Sequence, residues 1–251
     1  MKKKILEACV DSVESALAAV RGGADRLELC ANLIIGGTTP GPALFREIKR
    51  ESDIRIHTLI RPRFGDFCYT DYEFRVICEE VRMFRELGAD GVVIGILTPD
   101  GRLNQEKMGR LMELAGGMSV TLHRAFDVCR DPFEALEQAK QLGIHTVLTS
   151  GQRGTCAEGK ELLREFVREA GNRIEIMAGS GVNAEVIREV APYTGVRAFH
   201  MSGKSTLDSL MVYRKEGVSM GLPLMSEFVL WRTSEEKMRE ARKVLDCCPI
   251  Y

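Results

Sequence analysis

The chain has 251 residues, 45% of them hydrophobic and 28% charged, enough apolar material for a large core without a disulfide or metal scaffold. Thirty-five basic and 36 acidic side chains leave a formal charge of -1, which excludes a global field for gripping nucleic acid or an acidic membrane. The composition also excludes disorder over most of the length.

Lysines at positions 2–4 begin like a secretory leader, but Glu7 and Asp11 interrupt the apolar run before it reaches leader length, so the segment reads as a strand. No window approaches an uninterrupted membrane span. Eight cysteines without CxxC spacing are expected as reduced thiols, and the protein is expected in the cytoplasm.

Eight strand-like runs follow one another, at residues 4–9, 26–30, 54–61, 91–97, 119–126, 146–150, 174–178 and 198–201, each followed by a helix-compatible segment. Thr70 to Glu73, Thr155 to Glu158 and Thr233 to Glu236 have the Thr-x-x-Glu form that caps helix starts, and Asp131-Pro132 opens another helix. Glycines at 22–23, 88, 116–117, 143, 171 and 195 punctuate the helix ends. With no linker or low-complexity break, eight such units predict a single-domain (β/α)8 TIM barrel over residues 1–251, with an open doubly wound sheet as the alternative. Residues 204–226, containing Gly217, Gly221 and Pro223, read as an irregular loop before the last helix.

A barrel carries its site at the carboxyl ends of its strands. Leu6-Glu7-Ala8-Cys9 and Leu27-Glu28-Leu29-Cys30 repeat one pattern, and a period of two puts each Glu on the face of the Cys two residues on. An inward face gathers two carboxylates and two thiols; the plainer reading pairs the glutamates with arginine and buries the thiols as packing. Strand 5 alternation places Thr121, His123, Ala125 and Asp127 on one face and Arg124 on the other, with His123 the first acid–base candidate, Asp127 its neighbour and His200 a weaker candidate. His145 falls on the opposite, stability-bearing rim.

Arg61 and Arg63, in a turn after strand 3, are suited to carboxylate or phosphate. Ser150, Gly179-Ser180-Gly181 and Ser202-Gly203 form small-residue loops that cradle anions in other barrels. No lysine sits where an imine-forming aldolase needs one, no His-x-His opens strand 1, and no Walker loop is present. Cys247-Cys248 reads as incidental.

LEAC, RLELCANL, GGTTPG, IRPRFGDFCY, GILTPDG, VTLHRAFD, LTSGQ, IMAGSGV and FHMSG, spread over residues 4–203, resemble the copper homeostasis family CutC. The resemblance implies a (β/α)8 barrel, a cytoplasmic location and a connection to copper tolerance through copper binding. Departures from the family pattern fall at Ile34-Ile35, Phe64 and Ser180, the last standing where a third glycine is common.

Copper(I) is soft and prefers few thiolates, so Cys9 and Cys30, on adjacent strands about 5 Å apart, are the expected metal pair. The alternative is a lyase- or isomerase-like barrel, or a non-catalytic binder, for a small anionic or phosphorylated molecule. There Glu7, Glu28, His123 and Asp127 move protons, while Arg61, Arg63, Ser150, Gly179, Ser180, Gly181, Ser202 and Gly203 hold charge. The expected partners are a copper ion or a small anion, with no nucleic acid and no membrane, and a symmetric homodimer is the default assembly.

Overall fold

The computed structural model describes residues 3–215, 217, 218, 220, 221 and 226–250. Parallel strands covered on both faces need buried side chains at nearly every position, and eight short runs have that character. They are β1 (Ile5–Val10), β2 (Arg26–Leu29), β3 (Arg55–Leu59), β4 (Gly91–Ile94), β5 (Ser119–Leu122), β6 (Thr146–Thr149), β7 (Glu175–Ala178) and β8 (Ala198–Met201). Alternating with them are α1 (Val13–Arg21), α2 (Pro42–Glu51), α3 (Asp71–Glu86), α4 (Gln105–Ala115), α5 (Pro132–Gln141), α6 (Lys160–Ala170) and α7 (Ala184–Thr194), with α8 (Glu235–Cys247) last. Each strand pairs in parallel with the next and β8 returns to β1, so the sheet closes as a (β/α)8 barrel rather than the open alternative.

Strand alternation divides the interior into two chemistries. On β1, Leu6, Ala8 and Val10 join the layer between strands and helices, packing with residues such as Phe45, Phe84 and Phe166. Glu7 and Cys9 take the other face. Inside the ring, Cys9, Cys30, Leu59 and Val93 form one small apolar group and Leu148, Met177 and Ala198 another.

The helix starts follow side-chain capping chemistry, with two shifts from the sequence reading. Thr70 and Glu73 form a reciprocal capping box on α3, and Asp131 caps α5 ahead of Pro132. Thr155 and Glu158 also bond reciprocally, but they close a turn and α6 starts at Lys160. Ser234, rather than Thr233, caps α8 by accepting from the Lys237 amide.

Thr233 instead ends a strand, which corrects the reading of residues 204–226 as an irregular loop. β9 (Lys204–Asp208) pairs antiparallel with β10 (Val229–Thr233), and the Thr233 amide donates to Ser15 Oγ on α1 at 3.1 Å. Thr206 opposite Trp231 suits such a ribbon. The intervening glycines hid it, and residues 216, 219 and 222–225, Pro223 among them, lie outside the described residues.

β5 also ends earlier than its apolar alternation predicts. His123 caps a 3₁₀ turn over Arg124–Val128, its Nδ1 accepting from the Ala125 amide at 3.1 Å. The turn brings Arg124 and Asp127, expected on opposite faces, into an ion pair of 2.6 Å.

Gly159 is required by space, not by backbone conformation: its φ is -92°, and an added Cβ would lie 1.9 Å from the Ser150 carbonyl oxygen. Gly159→Ala must therefore displace backbone at the tip of β6. A loss of about 2–3 kcal/mol in urea-unfolding free energy is expected, and a change below about 0.5 kcal/mol would show that the β6–α6 turn yields freely.

Candidate functional site

The floor of the mouth is ionic. Parallel register sets Glu7 opposite Arg26 on β2 and opposite His200 on β8. Arg26 Nε donates to Glu7 Oε2, and Glu7 Oε1 lies 2.7 Å from His200 Nδ1. Burial by itself would push the Glu7 carboxyl up, but the Arg26 guanidinium and the His200 bond hold it far below the usual carboxylate range. For His200 burial pulls the other way, and Glu28 and Glu7 together raise its pKa above the ordinary value.

One residue-pair higher, Cys9 faces Glu28 in register. The Cys9 thiol donates to Glu28 Oε1 at 3.3 Å and its sulfur lies 3.8 Å from Cys30 Sγ. The bond to Cys30 and burial push the Cys9 thiol well up. Burial raises Glu28 as well, and ionised Glu7 adds to the effect against the opposing pull of His200. Cys9, Glu28 and His200 each offer one donor atom, all within 4.8 Å of one another, a spacing able to hold a metal ion.

Arg26 and His57 were missed in the sequence. Arg26 shares a strand face with Glu28, so alternation could have found it. His57 stands opposite Glu28 on β3, where burial and Arg26 pull its pKa down to about 4. A Cβ at Gly91 would lie 2.7 Å from the His57 ring, so glycine lets the imidazole fit inside the barrel.

Above the floor opens a cavity of about 990 Å³ whose lining includes Cys9, Glu28, Arg61, His123, Asp127 and His200, together with Ser180, Gly181, Ser202 and Gly203. Glu7 lies beneath it, fully buried. Of the residues expected at the mouth, Glu28, Arg61, His123 and Asp127 therefore share one cavity, with His200 also on its lining and Glu7 not. Ser180 has a φ of +72° and Gly181 +73°, a left-handed pair that explains why glycine suits position 180. Here Ser180 donates to the Gly154 carbonyl at 2.6 Å.

Other expected residues have structural employment. Arg63 does not line the cavity: it staples its own loop to α3 through Glu73 at 2.6 Å and Asp66 at 2.9 Å. Asp127 reaches the cavity wall, but its carboxylate pairs with Arg124 and accepts from Thr149 Oγ1, the Ser150 amide and hydroxyl and the Gln152 amide. It makes no hydrogen bond with His123 and anchors the tip of β6. Ser150 is buried in that same network, and Gly179 lies close against Leu148. His145 Nδ1 accepts from the Val120 amide, as a stability-bearing position would. Cys248 is buried against Ile187 and Cys247 is exposed, both away from the mouth.

Fold and site together define a closed (β/α)8 barrel with a thiol, carboxylate and imidazole floor beneath one open mouth. The CutC family model matches residues 4–205, and the chain belongs to the CutC family. It is 48% identical to the CutC protein of Bacteroides thetaiotaomicron over 88% of this chain and 89% of that one. With the human copper homeostasis protein cutC homolog it shares 42% over 94% of this chain and 86% of that one. A solved CutC structure from Streptococcus agalactiae superposes with a TM-score of 0.76 at 32% identity, covering 79% of this chain and 98% of that chain. Thiamine phosphate pyrophosphorylase from Pyrococcus furiosus, at 19% identity and a TM-score of 0.59 over 96% and 95% of the two chains, shares the fold. Among the described residues no helix is long and apolar enough to cross a membrane.

Removing one member of a buried ion pair strands the other, so Glu7→Gln is expected to cost about 3 kcal/mol at neutral pH. The Glu7 carboxyl titrates lower in the folded than in the unfolded chain, so its contribution is complete above about pH 5 and is lost as pH falls. Urea unfolding of wild type and Glu7→Gln should therefore show a gap that narrows on acidification; a constant or widening gap would contradict the assignment.

Proposed function

We propose that this CutC-family chain binds Cu(I) at the floor of its barrel mouth and serves copper homeostasis, the role named for its human relative. The observation that carries this reading is the 3.8 Å separation of Cys9 Sγ and Cys30 Sγ, two buried thiols on adjacent strands. That distance is less than twice a metal–sulfur bond of about 2.3 Å, so both sulfurs can bind one ion in a bent arrangement that leaves room for a third donor. His200 and Glu28 are close enough to Cys9 to supply it. A soft, thiol-based donor set suits Cu(I) better than hard divalent cations, and eight unpaired cysteines suit a reducing compartment such as the cytoplasm.

The Cys9 thiol holds its proton at neutral pH, so copper must displace it. In competition titrations against a chromophoric Cu(I) chelator, apparent affinity should rise with pH, by up to about tenfold per unit for each proton displaced. Cys9→Ser/Cys30→Ser should weaken it by about a hundredfold or more. Equal affinity in the double variant would remove the pair from the function.

A second reading, proton-transfer chemistry on a small molecule, is favoured by the opposite displacement of the two floor carboxyls: Glu7 is held ionised while Glu28, on the cavity wall, is pushed up. A metabolite that stabilises the protein thermally and is turned over, with turnover lost in Glu28→Gln, would carry it; stabilisation without turnover would leave a binding protein.

A further inference from the structure

The wall of the mouth formed by β3, the segment after it and the tip of β5 contains donors that the protein does not use. Arg61 is 8% exposed and forms no ion pair with a carboxylate among the described residues. Its Nη1 donates to the carbonyls of Gly36 and Gly37 and its Nη2 to that of Gly65, while Nε has no partner. A buried guanidinium whose hydrogen bonds go to carbonyls, with an aromatic ring against it, lacks a counter-ion.

His123, 5% exposed, stands beside it. Its Nδ1 accepts from the Ala125 amide, so that nitrogen carries no proton; burial and Arg61 hold the ring neutral, with its pKa down to about 3. The ring proton therefore sits on Nε2, a buried donor without an acceptor. Phe67 joins the two groups: its ring centroid is 5.0 Å from the Arg61 guanidinium carbon and 4.8 Å from the His123 ring centroid. Both side chains line the 990 Å³ cavity, a volume far beyond the needs of a bare ion.

An unpaired cation next to a surplus N–H donor calls for an anionic oxygen, and the volume around them calls for an organic body attached to it. We propose that the barrel mouth is a receptor for a small organic oxyanion, a carboxylate or a phosphate monoester, whose charged group is bound by Arg61 and His123. Lys204 and Lys237 also line the cavity, but Lys237 Nζ donates to the Lys204 carbonyl and Lys204 Nζ lies over the Trp231 ring, so the charge of the headgroup falls to Arg61 and His123. The site shares the cavity with Cys9 but uses none of the donors assigned to copper, so it goes beyond the copper reading and either can fail alone.

The test uses the full chain with ¹⁵N-labelled histidine, at fixed ionic strength, with malonate as the carboxylate probe and glycerol 3-phosphate as the phosphate probe. Saturable movement of the His123 Nε2 resonance with either probe is expected, and the responding probe identifies the headgroup. In His123→Asn the side chain retains an acceptor for the Ala125 amide but lacks the ring donor, so binding followed by calorimetry should weaken about tenfold. Arg61→Lys, which keeps the charge but loses the fork, supplies the same comparison if the histidine variant does not fold. No movement with either probe at tens of millimolar would overturn the proposal, as would unchanged affinity in the folded variants.

Discussion

The carboxylate of Glu7 is sealed inside the barrel, and its two partners arrive from different strands, Arg26 from β2 and His200 from β8. Taking such a charge out of water is costly, and the attraction recovers the cost only while both partners hold their places. A buried ion pair is therefore poor as a net stabiliser and effective as a registry device. A one-residue slip of β2 would carry Arg26 to the helix side and set Leu27 or Asp25 against the carboxylate. The pairing joins the first, second and last strands, where the ring closes, and it fixes the position of Cys9 and Glu28 directly above.

Above the Glu7 pairing lie two distinct surfaces. One is the soft set of Cys9 and Cys30, with Glu28 and His200 at its margin. The other is the wall of Arg61, Phe67 and His123, hard in its donors and positive in its charge. A thiol pair of this kind suits a soft cation and the wall suits an anion, so the two surfaces differ in the charge they select.

Periodicity along the chain carried most of the fold. Eight short apolar runs, the Thr70 capping box, the Asp131-Pro132 start and the terminal glycines are local signals, and each element they mark is present. The shared face of Glu7 with Cys9 was legible for the same reason, since alternation is fixed by strand geometry. Relations across the barrel were not. His200 is 193 residues from Glu7, and only the parallel register brings them together. Arg63 had the same credentials as Arg61 in sequence; the structure separates them by giving Arg63 two carboxylates within its own loop and helix and Arg61 none. The β5 tip defeated alternation because the Ala125 amide bonds to the His123 ring and turns the chain, and the β9–β10 ribbon was obscured by its glycine-containing connection.

The ionic closure is tested most directly by a double-mutant cycle in urea unfolding on Glu7→Gln, Arg26→Gln and the pair at neutral pH. If these groups specify each other, the double variant will be less destabilised than the sum of the singles by about 2 kcal/mol or more. Additivity within about 0.5 kcal/mol would mean that the two side chains act separately and that something else closes the ring.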